Sequence, residues 1–313
     1  MNLYKFLDRA LGSLQYRSFV IWFYLQNLGK PWIPYLETHL CDHCNLNCKS
    51  CSHFCPLVTE PTFTDLEQYT KDIQTLSKKL AIRTIRLMGG EPLLHPRVND
   101  FMHVTRKAYP HSRIFIVTNG LLLLKMSNDF WETLRQYRIR IHWSKYPPLK
   151  EKFAEIYGHL KKHRALLEFG EMSNEDVECF HSFSPFSPNG TEDPKQAFKG
   201  CMSKNCVNLY RAKLYTCPAC YVFRANNYFH ANHEVPEGWD IYKYSGKELQ
   251  SFLNKPIPFC RFCHHAVHPK SFPWEVSKRK AEEWMEGGGF RQVKQSDTTY
   301  LRFNRLAEVF LIA

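Results

Sequence analysis

Apolar and polar positions alternate in blocks along the first half of the chain. Five short apolar runs have strand length: Tyr35 to Leu40, Ile82 to Met88, Arg113 to Val117, Arg138 to Trp143 and Ala165 to Phe169. Between them, apolar residues recur at three- and four-residue spacing over about Thr64 to Leu80, Arg97 to Ala108, Leu123 to Tyr137 and Lys150 to Lys162, which predicts helices. Alternation of this kind predicts βα units and a parallel sheet. Thr64-Asp65-Leu66-Glu67 reads as a capping box opening the first of these helices. Pro110 stops the second.

Ahead of these units, Leu3, Phe6, Leu7, Leu11 and Leu14 fall at helical spacing and run into Phe19 to Leu25. The apolar run is too short to span a bilayer, and it has no small-residue cleavage site of a signal peptide. An amphipathic helix within residues 1–34, packed on the following units or on a partner subunit, is expected; a peripheral membrane foot is the alternative. After Gly170 the pattern changes. Pro185, Pro188, Gly190 and Pro194 mark residues 171–200 as a linker or active-site loop. Val207 to Thr216 alternates like a β-hairpin, and Gly246 to Leu253 reads as a helix. The segment 269–313 reads as a helical tail, interrupted by Gly287 to Gly289, with no function assigned.

Composition narrows the class. With 44% hydrophobic and 23% charged residues over 313 positions, the chain can bury one large core with a small appended unit. Its net charge of +12 points to an anionic substrate or an acidic electron donor. The basic residues form no long run, so nucleic acid is not an expected partner. Twelve cysteines in this length are too few for a disulfide scaffold.

Five of those cysteines lie between Cys41 and Cys55, and three have the spacing Cys44-x3-Cys48-x2-Cys51. Three thiolates this close can hold three corners of a 4Fe–4S cubane and leave one iron open. Cys41-x2-Cys44 on its own would suit a zinc site. Downstream, Gly89-Gly90-Glu91-Pro92 ends the second strand and Thr118-Asn119-Gly120 ends the third. The cysteine triplet followed by Gly-Gly-Glu-Pro resembles the radical S-adenosylmethionine (SAM) superfamily over about residues 35 to 170. The resemblance implies a partial (β/α) barrel, a SAM-binding 4Fe–4S cluster on Cys44, Cys48 and Cys51, and reductive cleavage of SAM to a radical that takes a hydrogen atom from carbon. It also implies an active site at the C-terminal ends of the strands. Gly89 and Gly90 would allow close approach, and Glu91 would pair with the SAM ammonium. Asn119 and Ser144 would meet ribose hydroxyls, although both also suit ordinary turns. Ser50 stands where the family commonly places an aromatic residue against adenine, and His53 or Phe54 would take over that contact.

The later cysteines resemble a twitch domain, the shorter relative of the SPASM domain, with one auxiliary 4Fe–4S cluster. The order of one cysteine before the hairpin, one after it and a distant Cys-x2-Cys maps onto Cys201, Cys217, Cys260 and Cys263. Cys206 is an alternative to Cys201. A zinc ribbon built from Cys217-x2-Cys220 and Cys260-x2-Cys263 is the competing reading. Cys41, Cys55 and Cys179 are expected as buried thiols, and His264, His265 and His268 as surface loop.

The expected fold class is therefore α/β: a shortened partial barrel over 35–170, a loop over 171–200, and a small auxiliary cluster domain containing the hairpin over 201–268. The resemblance extends to the aminocyclitol alcohol dehydrogenase branch. It implies oxidation of a sugar-like or polyol substrate, with Lys145 and Arg211 as candidate proton acceptors. A maturase acting on a peptide or protein is the second enzymatic reading, and a non-catalytic iron–sulfur or zinc protein the third. Iron–sulfur thiolates call for a reducing compartment, hence the cytoplasm.

Overall fold

In the computed structural model, whose described residues are 3–168, 179–182, 190–201, 204–217, 238–253, 255–263 and 270–284, the apolar runs become parallel strands. These are β1 (Trp32–Cys41), β2 (Ala81–Gly89), β3 (Arg113–Thr118) and β4 (Arg140–Trp143). The helices are α1 (Leu3–Gln26), α2 (Leu66–Lys79), α3 (Val98–Ala108), α4 (Asn128–Gln136), α5 (Phe153–Lys162) and α6 (Pro194–Gly200). Later strands are β5 (Cys179–Ser182), β6 (Val207–Tyr210), β7 (Lys213–Tyr215), β8 (Trp239–Asp240) and β9 (Lys270–Pro273). A helix at Gly246–Leu253 matches its expected bounds.

The main sheet runs β4-β3-β2-β1-β6-β7-β8. Strands β1 to β4 are parallel neighbours, β6 joins β1 in parallel, and β7 and β8 add antiparallel. The pleat sends alternate side chains to opposite faces. Leu36, Leu40, Ile85, Leu87, Ile114, Ile116 and Ile141 pack against Ile73, Leu76, Phe101, Phe130 and Ile156 of the helical layer. The other parity carries Tyr35, Glu37, His39, Arg86 and His142 on the concave side, with Glu37 opposite Arg86 across the β1–β2 ladder. This is the α/β partial barrel that the sequence implies.

Several boundaries differ from expectation. The fifth strand is reduced, among the described residues, to a parallel bridge between Ile141 and Leu167; Phe169 lies outside them. The fifth parallel strand is instead β6, so the hairpin extends the barrel sheet rather than standing apart from it. The capping residue of α2 is Asp65, whose side chain accepts from Gln68 N at 2.7 Å. Thr64 turns its hydroxyl back to the His39 carbonyl at 2.6 Å. The expected helix over 123–137 divides into a 3-10 turn, Leu123–Lys125, and α4, because Ser127 starts a new helix by accepting from Phe130 N. That over 150–162 opens as a 3-10 helix, Pro147–Lys152. The expected loop 171–200 contains β5, paired with β9, and α6. In the tail, residues 270–284 form β9 and a 3-10 turn, Ala281–Trp284, in place of the expected helix.

Helix α1 buries Phe23, and Arg83 and Arg113 lie over its Tyr16 ring. Leu14, Ile21 and Leu25 of the helix stay exposed, as does Leu28 beyond it, and among the described side chains the packing runs through Tyr16, Phe19 and Phe23. No described helix is long and apolar enough to cross a membrane.

Candidate functional site

The strand ends at the C-terminal edge of β1, β2 and β3 converge on the cysteine loop. Gly90 N donates to the Cys41 carbonyl at 2.9 Å, and Glu91 N to the His43 carbonyl at 3.0 Å. A Cβ on Gly90 would fall 1.7 Å from the His43 oxygen, and one on Gly89, at φ +133, would fall 2.1 Å from the Cys41 oxygen. The two glycines therefore permit backbone contact between β2 and the root of the loop.

Glu91 is fully buried and accepts three donors. Thr118 Oγ1 and Leu93 N reach Oε1 at 2.7 and 3.1 Å, and Asn119 N reaches Oε2 at 2.9 Å. Burial pushes its carboxyl up to about 7, against the pull of those donors. Through these bonds the carboxylate knits the ends of β2 and β3. Asn119 carries the connection onward, donating from Nδ2 to Asn45 Oδ1 at 2.7 Å and to Cys44 Sγ at 3.7 Å. It thus faces the cysteine loop where a ribose contact was expected.

The loop holds Cys44, Cys48 and Cys51 close together. Burial raises the Cys44 and Cys48 thiols, Cys48 to about 12, and each is raised further by the charge of Cys51. Cys51 runs the other way, its thiolate stabilised by hydrogen bonds with Cys55 and His53. N–H donors aim at the sulfurs: Leu46 N at Cys44, 3.4 Å, and Trp274 Nε1 at Cys48, 3.1 Å. Three crowded, desolvated thiols with N–H donors around them are a donor set that fits an iron–sulfur cluster, whose iron supplies the positive charge that such thiolates need.

Ser50 is fully buried at φ 55, and its hydroxyl donates to the Glu283 carbonyl at 2.5 Å. Phe54 stacks on Trp284 at 5.8 Å, and His53 lies edge-on to His39 at 5.0 Å. Ser144 is tied by its backbone N to the Thr118 carbonyl at 2.9 Å, at the end of β4. Lys145 follows it, half-buried, with Nζ 5.2 Å from the Trp143 ring centroid. Arg211 is the other candidate proton acceptor. It sits exposed in the β6–β7 turn at φ 43, over Tyr210, and the turn is docked on α2 by Ala212 N donating to Asp72 Oδ2 at 2.7 Å. A guanidinium also stays protonated, so it makes a poor base.

The concave side holds groups that motif reading missed. Tyr35 OH donates to Glu37 Oε1 at 2.7 Å, and the other Glu37 oxygen is buried with no hydrogen-bond partner among the described residues. Ligand atoms of Glu37, His39 and His53 lie within 4.8 Å of one another. Arg86 clasps Glu168 through both carboxylate oxygens, at 2.9 and 3.0 Å, and His142 bonds the same carboxylate. Burial opposes ionisation of Glu168, but the His142 bond and the Arg86 charge outweigh it and hold the group down to about 2. Period-two alternation of polar residues in β1 was the available signal for Glu37 and His39.

The second cysteine set also converges. Cys201, Cys217, Cys260 and Cys263 line one cavity together with Ile257 and Phe259. Burial raises the Cys263 thiol, and Cys217, Cys201 and Cys260 add to that in turn. Four mutually close thiols suit a closed tetrathiolate site. Cys206 does not line this cavity; the charge nearest in effect to its buried thiol is Glu37. Cys220, His264, His265 and His268 lie outside the described residues.

Comparison with known proteins bears on the segment that holds the first cysteine set. Residues 39–144 match the family model described as the Radical SAM superfamily. A GTP 3',8-cyclase of Trichormus variabilis is 31% identical over 114 residues, 35% of this chain and 34% of that protein. One from Aquifex aeolicus is 29% identical over 125 residues, 38% of each. The chain thus spans about a third of the length of the curated relatives it matches. Among solved structures, BtrN in complex with AdoMet and 2-DOIA is 17% identical at a TM-score of 0.45, over 75% of this chain and 94% of that one. A tagged anSMEcpe with bound AdoMet is 14% identical at 0.38, over 90% and 98%. The cysteine triplet Cys44, Cys48 and Cys51, with Gly89, Gly90 and Glu91, lies inside the segment, residues 39–144, that is similar to the Radical SAM superfamily.

Proposed function

We propose that the chain oxidises a hydroxyl-bearing, sugar-like substrate on the concave side of the sheet, between two iron–sulfur sites. Cys44, Cys48 and Cys51 would hold the SAM-binding cluster. Cys201, Cys217, Cys260 and Cys263 would hold an auxiliary cluster with all four irons ligated. When bound, the first cluster with SAM supplies one-electron reduction and hydrogen-atom abstraction, and the second supplies an electron sink. The observation that carries this reading is the convergence of those four cysteines on one cavity, apart from the triplet.

Glu37 stands between the two sets. Its charge acts on His53, which bonds Cys51, and on Cys206, which neighbours Cys201 and Cys217. The Glu37 oxygen without a partner is suited to accept a hydrogen bond, and then the proton, of a substrate hydroxyl. Glu37 takes the place of Lys145 in that role; the Lys145 Nζ lies 5.2 Å from the Trp143 ring centroid. An electron donor of flavodoxin or ferredoxin type would serve the first site.

Metal analysis of the anaerobically purified protein tests the reading. It is expected to give about eight iron atoms per chain, two cubanes of four, and no zinc. Replacing Cys44, Cys48 and Cys51 with alanine should remove about half the iron and all SAM cleavage. One tightly held zinc per chain would replace the auxiliary cluster with a zinc ribbon and remove the electron sink.

A further inference from the structure

The segment Trp274–Trp284 lies more than two hundred residues from the cysteine loop in sequence, yet it crosses that loop from Asn47 to Phe54. Val276 makes an antiparallel bridge with Cys48. Lys49 N donates to the Glu275 carbonyl and Ser277 N to the Asn47 carbonyl, each at 2.9 Å, and Asn47 Nδ2 returns to the Ser277 carbonyl at 2.8 Å. Farther along, Trp284 Nε1 donates to the Cys51 carbonyl at 2.8 Å. Glu283, itself buried, folds the segment back on itself by accepting from Ser277 Oγ and Lys278 N at 2.7 and 2.6 Å.

The loop beneath is strained. Ser50 and Phe54 both have positive φ, 55 and 58, without being glycine. Such conformations persist where the surroundings over-determine them. Here the Glu283 carbonyl holds Ser50 and the Trp284 ring holds Phe54. At the cysteine end, Trp274 Nε1 points at Cys48 Sγ from 3.1 Å.

We infer that residues 274–284 form a strap that holds the cluster loop in shape and, through the Trp274 N–H on Cys48, sets the reduction potential of the SAM-binding cluster. The inference rests on the proposed ligand role of Cys48. An N–H···S bond withdraws electron density from a thiolate ligand, stabilises the reduced cluster and raises its potential. Trp274 is a positioning residue in this scheme: it acts through Cys48 and touches no substrate.

The test is an EPR-monitored redox titration of the holoenzyme, following the signal that changes on SAM addition, which marks the cluster with the open iron. Trp274→Phe keeps the ring and removes the donor. Its midpoint is expected to fall so that the reduced-to-oxidised ratio at a fixed donor potential drops about tenfold, or about 59 mV for one electron. Trp274→His, which keeps a ring N–H, is expected to recover part of the shift. Glu275→Gln breaks only the Lys49–Glu275 ion pair, whose acid is largely exposed, and should leave the midpoint unchanged. A Trp274→Phe midpoint equal to that of the wild type overturns the inference, as does a Trp274→His midpoint shifted just as far. Should Trp274→Phe bind no iron, the same fall is required of Glu283→Gln, which loosens the strap from within, and its absence is equally decisive. A wild-type protein with no SAM-responsive signal would instead remove the underlying assignment of Cys48.

Discussion

Glu91 links the ends of β2 and β3 to the cysteine loop through a short chain of contacts. Its two oxygens accept from Thr118, Leu93 and Asn119, and the Asn119 amide reaches Cys44. Glutamine has one acceptor oxygen and sets an NH2 group against one of those donors, with no room to turn at a fully buried site. Glu91→Gln is therefore expected to cost about 2–3 kcal/mol of stability. Because Asn119 N loses its anchor, the cluster spectrum should change as well as SAM affinity. Urea unfolding with parallel absorption spectra checks both, and an unaltered spectrum would separate Glu91 from the cysteine loop. Motif reading locates Glu91 at the right strand end; that its charge is used inside the protein depends on the approach of β3.

At the scale of elements, the concave face is tied by Arg86 on β2, His142 on β4 and Glu168 beyond α5. Glu168 is held down to about 2 in the folded chain, below its ordinary value of 4.5. A carboxylate depressed in this way stabilises the fold above its unfolded pKa, and that contribution is lost as the pH falls from about 4.5 towards 2. Chemical denaturation should thus show stability dropping by roughly 2–3 kcal/mol over this window from this group. Glu168→Gln should flatten that part of the profile; an identical profile in the variant would assign the acid sensitivity elsewhere. The pairing spans three separate elements, so no local pattern announces it.

For the whole molecule, the hairpin of β6 and β7 belongs to the barrel sheet through the β1–β6 ladder. Its turn is pinned to α2 by Asp72, which is buried and accepts from Ala212 N, Gln68 Nε2 and Tyr242 OH at 2.7, 2.7 and 2.9 Å. Asp72→Ala strands these donors and should cost about 2–3 kcal/mol. Since the sheet is continuous, unfolding followed by fluorescence and by circular dichroism should still give one coincident transition, shifted to lower denaturant. Two separated transitions would mean that the hairpin region folds on its own.

Local chemistry was enough for the parts that repeat or chelate. Period-two and period-3.6 spacing determined β1 to β4 and the helices between them, because each buries one face against the other. The triplet Cys44, Cys48 and Cys51 and the motif at Gly89 to Glu91 were legible because thiolate spacing and glycine geometry are local properties. The grouping of Cys201, Cys217, Cys260 and Cys263 was readable only as an order along the chain, and their shared cavity is a product of folding. Tertiary structure alone decided the rest: β6 beside β1, Glu37 beside His39 and His53, Ser50 turned to Glu283, and the strap over the loop. These contacts join residues far apart in sequence, and their energy comes from burial and hydrogen bonding between surfaces that exist only once the sheet has formed.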